Sequence, residues 1–241
     1  MDPFALTVLT GTIQCCLQKQ KKPIAYIPPK NVKLRDYLSQ IGFNAYFQLK
    51  GKDIHKTTTV ELKQLQALEP LYIEALIALI DSRMSLSAGM KDSLKMSLQE
   101  ILTNVFDHSK SEVGCLACAQ YYPATNIIRL CTADFGVGIL SNLRDKYPLT
   151  NDIDAIKLAV QEGVSSRPGS AGFGLAHIRR FLKINEGTLT IVSGRGKVNF
   201  YSNKTESYNM TKPFNGTIVN LKIDASKESF YFLAGESEYI F

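Results

Sequence analysis

The stretch Gln99–His108, QEILTNVFDH, carries a carboxylate, an amide, a second carboxylate and an imidazole at Glu100, Asn104, Asp107 and His108. These positions stand at i, i+4, i+7 and i+8, a helical spacing that puts all four side chains on one face. Leu94, Leu98, Ile101, Leu102 and Val105 form an apolar stripe beside them, suited to a core. Asn104 offers an amide oxygen to a divalent cation such as Mg²⁺. Glu100, one turn away, can orient or deprotonate a nucleophile. Taken alone, the polar stripe reads equally well as a solvated helix face closed by a salt bridge.

Two glycine pairs extend the pattern. Asp134-Phe135-Gly136-Val137-Gly138-Ile139 follows a β-prone run, and Gly172-Phe173-Gly174-Leu175 ends a Ser/Gly-rich stretch and opens a helical pattern. A dinucleotide fingerprint needs a third glycine three residues on, where Ser141 and His177 stand instead. A P-loop needs Gly-Lys-Ser/Thr, and no such run exists. The order of the parts suits ATP. A fixed Asp134 carboxylate can accept a hydrogen bond from an adenine amino group, and glycines beside it allow close approach of a flat base. The N–H groups that open the helix at Gly174 can hold phosphate.

The elements that must position these residues are legible in outline. Residues 4–17 are apolar with no decisive period, and Ile24–Ile27, bounded by prolines, reads as a strand. Asn31 caps a helix to about Gln40, and polar connections fill residues 44–65. Pro70 opens a helix over about 70–83, and a second runs from about Lys91 to His108. Strands are expected at about 113–122, 127–133, 188–193, 197–202 and 217–223, with Gly194-Arg195-Gly196 as a hairpin turn. Asn151 or Asp152 starts a helix that ends at Gly163.

Composition limits the alternatives. The 241 residues are 45% hydrophobic and 21% charged, ordinary for a globular chain. The net charge of +6 is spread out rather than clustered, which argues against a nucleic-acid partner. No apolar run reaches about 18 residues, so no membrane span is expected. The five cysteines and the absence of a signal peptide point to a reducing compartment, the cytoplasm. Cys115-Leu-Ala-Cys118 lacks a second pair and lies in an apolar run, so it reads as buried strand cysteines rather than a metal or redox pair.

Glu100-x-x-x-Asn104 with Asp107 and His108, Asp134-x-Gly136-x-Gly138, and Gly172-x-Gly174-Leu175 together resemble the asparagine box and the two glycine boxes of the GHKL superfamily. That superfamily includes gyrase B, the large ATP-dependent heat-shock chaperone, histidine kinases and MutL. Gly216-Thr217 is similar to its final glycine–threonine element, and the resemblance spans about residues 85–223. It implies an α/β fold, a two-layer sandwich of the Bergerat type with a mixed sheet on one side and helices on the other. ATP would lie between the layers under a lid at about 140–171. Asn104 would hold Mg²⁺, Asp134 would read adenine, and Glu100 would be the general base. Asp107, His108, Gly136, Gly138, Ile139, Gly172, Phe173, Gly174, Leu175 and Thr217 would complete the nucleotide site.

TNVFDHS, Thr103–Ser109, looks most like the histidine-kinase and anti-sigma serine-kinase branches and like stand-alone bacterial ATP-binding proteins. The chain has three histidines. His108 and His177 fall in the boxes, and His55 lies in a polar connection without a helix-pair pattern, which argues against histidine autophosphorylation. No transducer domain follows residue 224, unlike in gyrase, the chaperone and MutL. The expected organisation is a small α/β unit over 1–65 for partner binding or homodimerisation, an ATP-binding domain over 66–224, and an acidic, aromatic tail over 225–241. The expected function is ATP hydrolysis or phosphorylation of a partner protein on Ser/Thr. A nucleotide-gated interaction switch with little turnover is the alternative.

Overall fold

The computed structural model describes residues 2–20, 24–49, 57–164 and 174–226. Side-chain capping fixes several helix starts. Asn31 accepts the Leu34 N–H at the head of α2 (Val32–Gln40), after α1 (Pro3–Gln20) and before the short α3 (Phe43–Tyr46). Pro70 stands at the first turn of α4 (Pro70–Met84), where its missing N–H costs nothing. Ser87 accepts the Met90 N–H and starts α5 (Ala88–Asn104). Asn151 does the same through Asp154 for α7 (Asp152–Ala159), which follows α6 (Ile139–Leu143) and precedes α8 (Gly174–Ile184).

Five strands, β1 (Thr59–Leu65), β2 (Cys115–Tyr122), β3 (Ile127–Asp134), β4 (Thr188–Phe200) and β5 (Thr205–Asp224), form one sheet in the order β1-β2-β3-β5-β4. Every neighbouring pair is antiparallel. This corrects the expectation of a mixed sheet.

Strand alternation builds two cores from one sheet. Cys115, Ala117, Ala119, Ile128, Leu130, Val219 and Leu221 face α4, α5 and α8 in the larger one. Leu116 and Cys118 point the other way and pack with Leu6 of α1, Leu38 and Ile41. Cys131, Ala133 and Ile218 lie on that same far side against Phe4 and Val8. Helices therefore cover the sheet on one face, and α1 covers the middle of the other. The two cysteines of the C-x-x-C are fully buried on opposite faces of β2, and burial pushes the Cys118 thiol up to about 12. No described helix is long and apolar enough to cross a membrane.

Several elements differ from expectation, among them β5, which begins at Thr205, well before the strand expected at 217–223. Ile24–Ile27 forms no strand; Ile24 and Ile27 are exposed, and the flanking prolines leave the segment without a sheet partner. The missing strand is β1, in the stretch expected to be polar connection. Val60, Leu62 and Leu65 supply its buried positions, and it pairs with β2, across the boundary drawn at residue 65. Gly194-Arg195-Gly196 is not a hairpin turn. It is an irregularity inside β4, which pairs with β5 on both sides of it, and the chain reverses at residues 201–204. Gly194 has φ +56°, and a Cβ there would lie 2.3 Å from a carboxylate oxygen of Asp152, so the two glycines let α7 press against the bend.

Candidate functional site

The helix carrying the polar stripe is α-helical only to Asn104. Val105–Ser109 form a π-helical turn, closed by Lys110 at φ +55°. A π turn holds more residues per revolution than an α turn. The widening brings His108, rather than Asp107, back into line with Glu100 and Asn104. Glu100, Asn104 and His108 accordingly line one cleft, whereas Asp107 is exposed and stands outside it. The α-helical spacing read from the sequence is correct for the first pair and fails after residue 104.

The opposite wall comes from the sheet. Thr132 and Asp134 are two residues apart on β3 and face the cleft together. Thr217 is the register partner of Asp134 on β5 and lines it too. Ile101, Ile139, Leu143, Leu175 and Val219 make the remaining wall largely apolar. The result is a slot with largely apolar walls, the buried Asp134 carboxylate from the sheet, and amide, imidazole and carboxylate groups from the helix.

Asp134 is only 3% exposed. Burial pushes its carboxyl up to about 6, against the opposing pull of the Gly136 N–H and of the Thr217 N–H and hydroxyl, which favour the charged form. The Gly136 N–H donates to Asp134 Oδ1 at 2.9 Å. His108 Nε2 is buried and has no hydrogen-bond partner among the described residues. A buried polar atom of that kind is suited to a ligand.

The glycines shape the cleft without lining it. A Cβ at Gly136 would sit 1.8 Å from the Ser109 carbonyl oxygen, and the Val137 N–H donates to that same oxygen at 2.7 Å. The loop after Asp134 is thus seated directly on the π turn, and only glycine fits. Gly138, at φ +79°, opens α6. The Ile139 N–H donates to Ser193 Oγ, which in turn donates to the Gly216 carbonyl. Gly172 and Phe173, with residues 165–171 of the expected lid, lie outside the described residues, as do His55 and residues 227–241.

At Gly174, the first described residue of α8, the helix meets the acid directly. The Gly174 N–H donates to Glu100 Oε2 at 2.8 Å, and a Cβ at Gly174 would lie 2.8 Å from Glu100 Cβ. A carboxylate at a helix N-terminus is favoured by the unpaired N–H groups and the helix dipole. Glu100 therefore ties α5 to α8.

Sequence reasoning passed over Asn142, Ser109 and Ser193. Asn142 lies one turn beyond Ile139 on α6 and reaches the cleft. Ser193 is a buried hydroxyl at the end of the apolar run TIV, a type of residue that needs a partner and signals one. Among the described residues no group of three or more His, Cys, Asp or Glu could hold a metal ion. A cation in this cleft would rest on Asn104 together with oxygens of the ligand itself. No protein-family model and no curated protein matches this chain.

Proposed function

We propose that this chain is a Mg-ATP-binding protein of the GHKL type, which hydrolyses ATP or passes its phosphate to a serine or threonine of a partner protein. The observation that carries the reading is convergence. Glu100, Asn104, His108, Thr132, Asp134, Ile139, Leu175 and Thr217, from four separate stretches of the sequence, meet around one slot. Asp134 suits the amino edge of adenine, because a buried carboxylate discriminates strongly between donors and acceptors. The apolar walls suit the faces of the base. Asn104 would carry Mg²⁺, whose charge, when bound, offsets that of the phosphates. Glu100 would take the proton from water or from a hydroxyl of the partner protein.

A second reading rests on the bond between Glu100 and Gly174. A carboxylate that fastens α8 to α5 couples the acid edge of the cleft to the start of the segment that leads out of residues 165–173. In this reading nucleotide rearranges that fastening and alters a surface for a partner, with little turnover.

The fate of γ-labelled phosphate from Mg-ATP separates the two. In the first reading, wild type releases or transfers label, and Glu100→Gln binds Mg-ATP but loses about 100-fold or more of that rate. Equal rates in the two proteins remove Glu100 as base. Binding without turnover in either protein selects the switch.

A further inference from the structure

α1 runs across the face of the sheet opposite the cleft, yet one of its residues touches the loop that builds the cleft. Gly11 sits inside this helix, where glycine is unfavourable relative to alanine. Its surroundings explain it. A Cβ at Gly11 would lie 1.9 Å from Cε2 and 2.2 Å from Cζ of Phe135, and 2.8 Å from Leu116 Cδ1.

Phe135 is the residue between Asp134 and Gly136. Strand alternation sends Asp134 into the cleft and Phe135 to the far face. The Phe135 ring is half-buried and borders a cavity beside Gly136. It packs edge-on against Phe214 with centroids 5.2 Å apart. Its Cα lies 2.8 Å from where a Cβ of Gly216 would stand, and its N–H donates to Ser111 Oγ at 3.2 Å. The backbone on either side of the ring is pinned by these contacts and carries the Asp134 carboxylate and the Gly136 and Val137 N–H groups, so any part of a ring displacement that reaches the backbone reaches the cleft.

We infer that Gly11 is a positioning residue for the cleft: by leaving space for the Phe135 ring, it lets α1 hold the Asp134–Gly138 loop from behind. α1 is then a lever on the site, and a change in how it sits on the sheet changes affinity in the cleft. The affinity part of this inference rests on the nucleotide reading above; the mechanical part does not.

The test compares wild type, Gly11→Ala, Phe135→Leu and the double variant. Leucine lacks the Cε and Cζ atoms that the new methyl would strike. Two quantities are read: affinity for Mg-ATP by calorimetry, and amide hydrogen exchange at Gly136 and Val137. Gly11→Ala is expected to weaken Mg-ATP binding about tenfold or more and to speed exchange at both amides. The double variant is expected to return both to within about threefold of Phe135→Leu alone. A general loss of packing would lower the melting temperature but would not be relieved by trimming one ring. Unchanged affinity and exchange in Gly11→Ala, or no recovery in the double variant, would overturn the inference. If wild type binds no Mg-ATP, the nucleotide reading fails and the exchange data alone decide the coupling. If Gly11→Ala does not fold, a folded double variant supports the coupling and an unfolded one contradicts it.

Discussion

Asp134 is a buried carboxylate that lines the cleft, and its environment has a measurable consequence. Its carboxyl is pushed from 3.8 up to about 6 by burial. Below the lower value both the folded and the unfolded chain hold this proton, and its stabilising share is fully present. Between the two values the folded chain keeps a proton that the unfolded chain has lost, so stability falls as pH rises. Above about 6 the loss is complete and amounts to about 3 kcal/mol. Asp134→Asn keeps an oxygen for the Gly136 N–H but carries no charge. The variant is expected to gain about 1–3 kcal/mol over wild type at pH 7.5, with the difference shrinking toward zero near pH 4. Urea unfolding at a series of pH values measures it; a difference that does not change with pH would show that Asp134 titrates normally. The sequence made this residue legible through its place after a β-prone run and before two glycines. Its burial was not legible, because that depends on which helix covers the end of β3.

At the scale of elements, the contact between the post-Asp134 loop and the π turn holds the two halves of the cleft together. Gly136→Ala would drive a methyl into the Ser109 carbonyl, a backbone group that cannot rotate away. The variant is expected to lose about 1–3 kcal/mol of stability, read as a lower melting temperature. It is also expected to lose Mg-ATP binding, whereas Gly163→Ala, strained by φ +77° but with open space for its Cβ and outside the cleft, should lose some stability and keep binding. Loss of binding in neither variant would separate the loop from the site. The helix itself was readable from the stripe of Leu94, Leu98, Ile101 and Leu102, but its π turn was not. An extra residue per turn leaves the apolar pattern almost intact and shows only in which polar side chains align. The same limit explains Gly194-Arg195-Gly196. Two closely spaced glycines mark both hairpin turns and bent strands, and the residue of α7 that presses on the bend, Asp152, is far from Gly194 in sequence.

The whole molecule is an α/β protein with one antiparallel sheet, a cleft on one face and α1 on the other. The periodicities of 2 and 3.6 carried the strands β2 and β3, the last part of β5 and the helices α2, α4 and α5. They did not carry β1, whose residues Thr59, Glu61, Lys63 and Gln64 look like polar connection and whose alternation is broken by a register shift between Val60 and Lys63. Nor could they show that the N-terminal segment and the cleft share a sheet, since such long-range pairing leaves no local signature. We propose that this cleft takes an adenine nucleotide on Asp134, and titration calorimetry with Mg-ATP and Mg-GTP on wild type and Asp134→Asn decides it. Saturable, one-site binding of Mg-ATP to wild type is expected, with about tenfold or more weaker binding of Mg-GTP and about tenfold or greater loss of Mg-ATP affinity in Asp134→Asn. No heat of binding to wild type, or equal affinity of the two proteins for Mg-ATP, would contradict it.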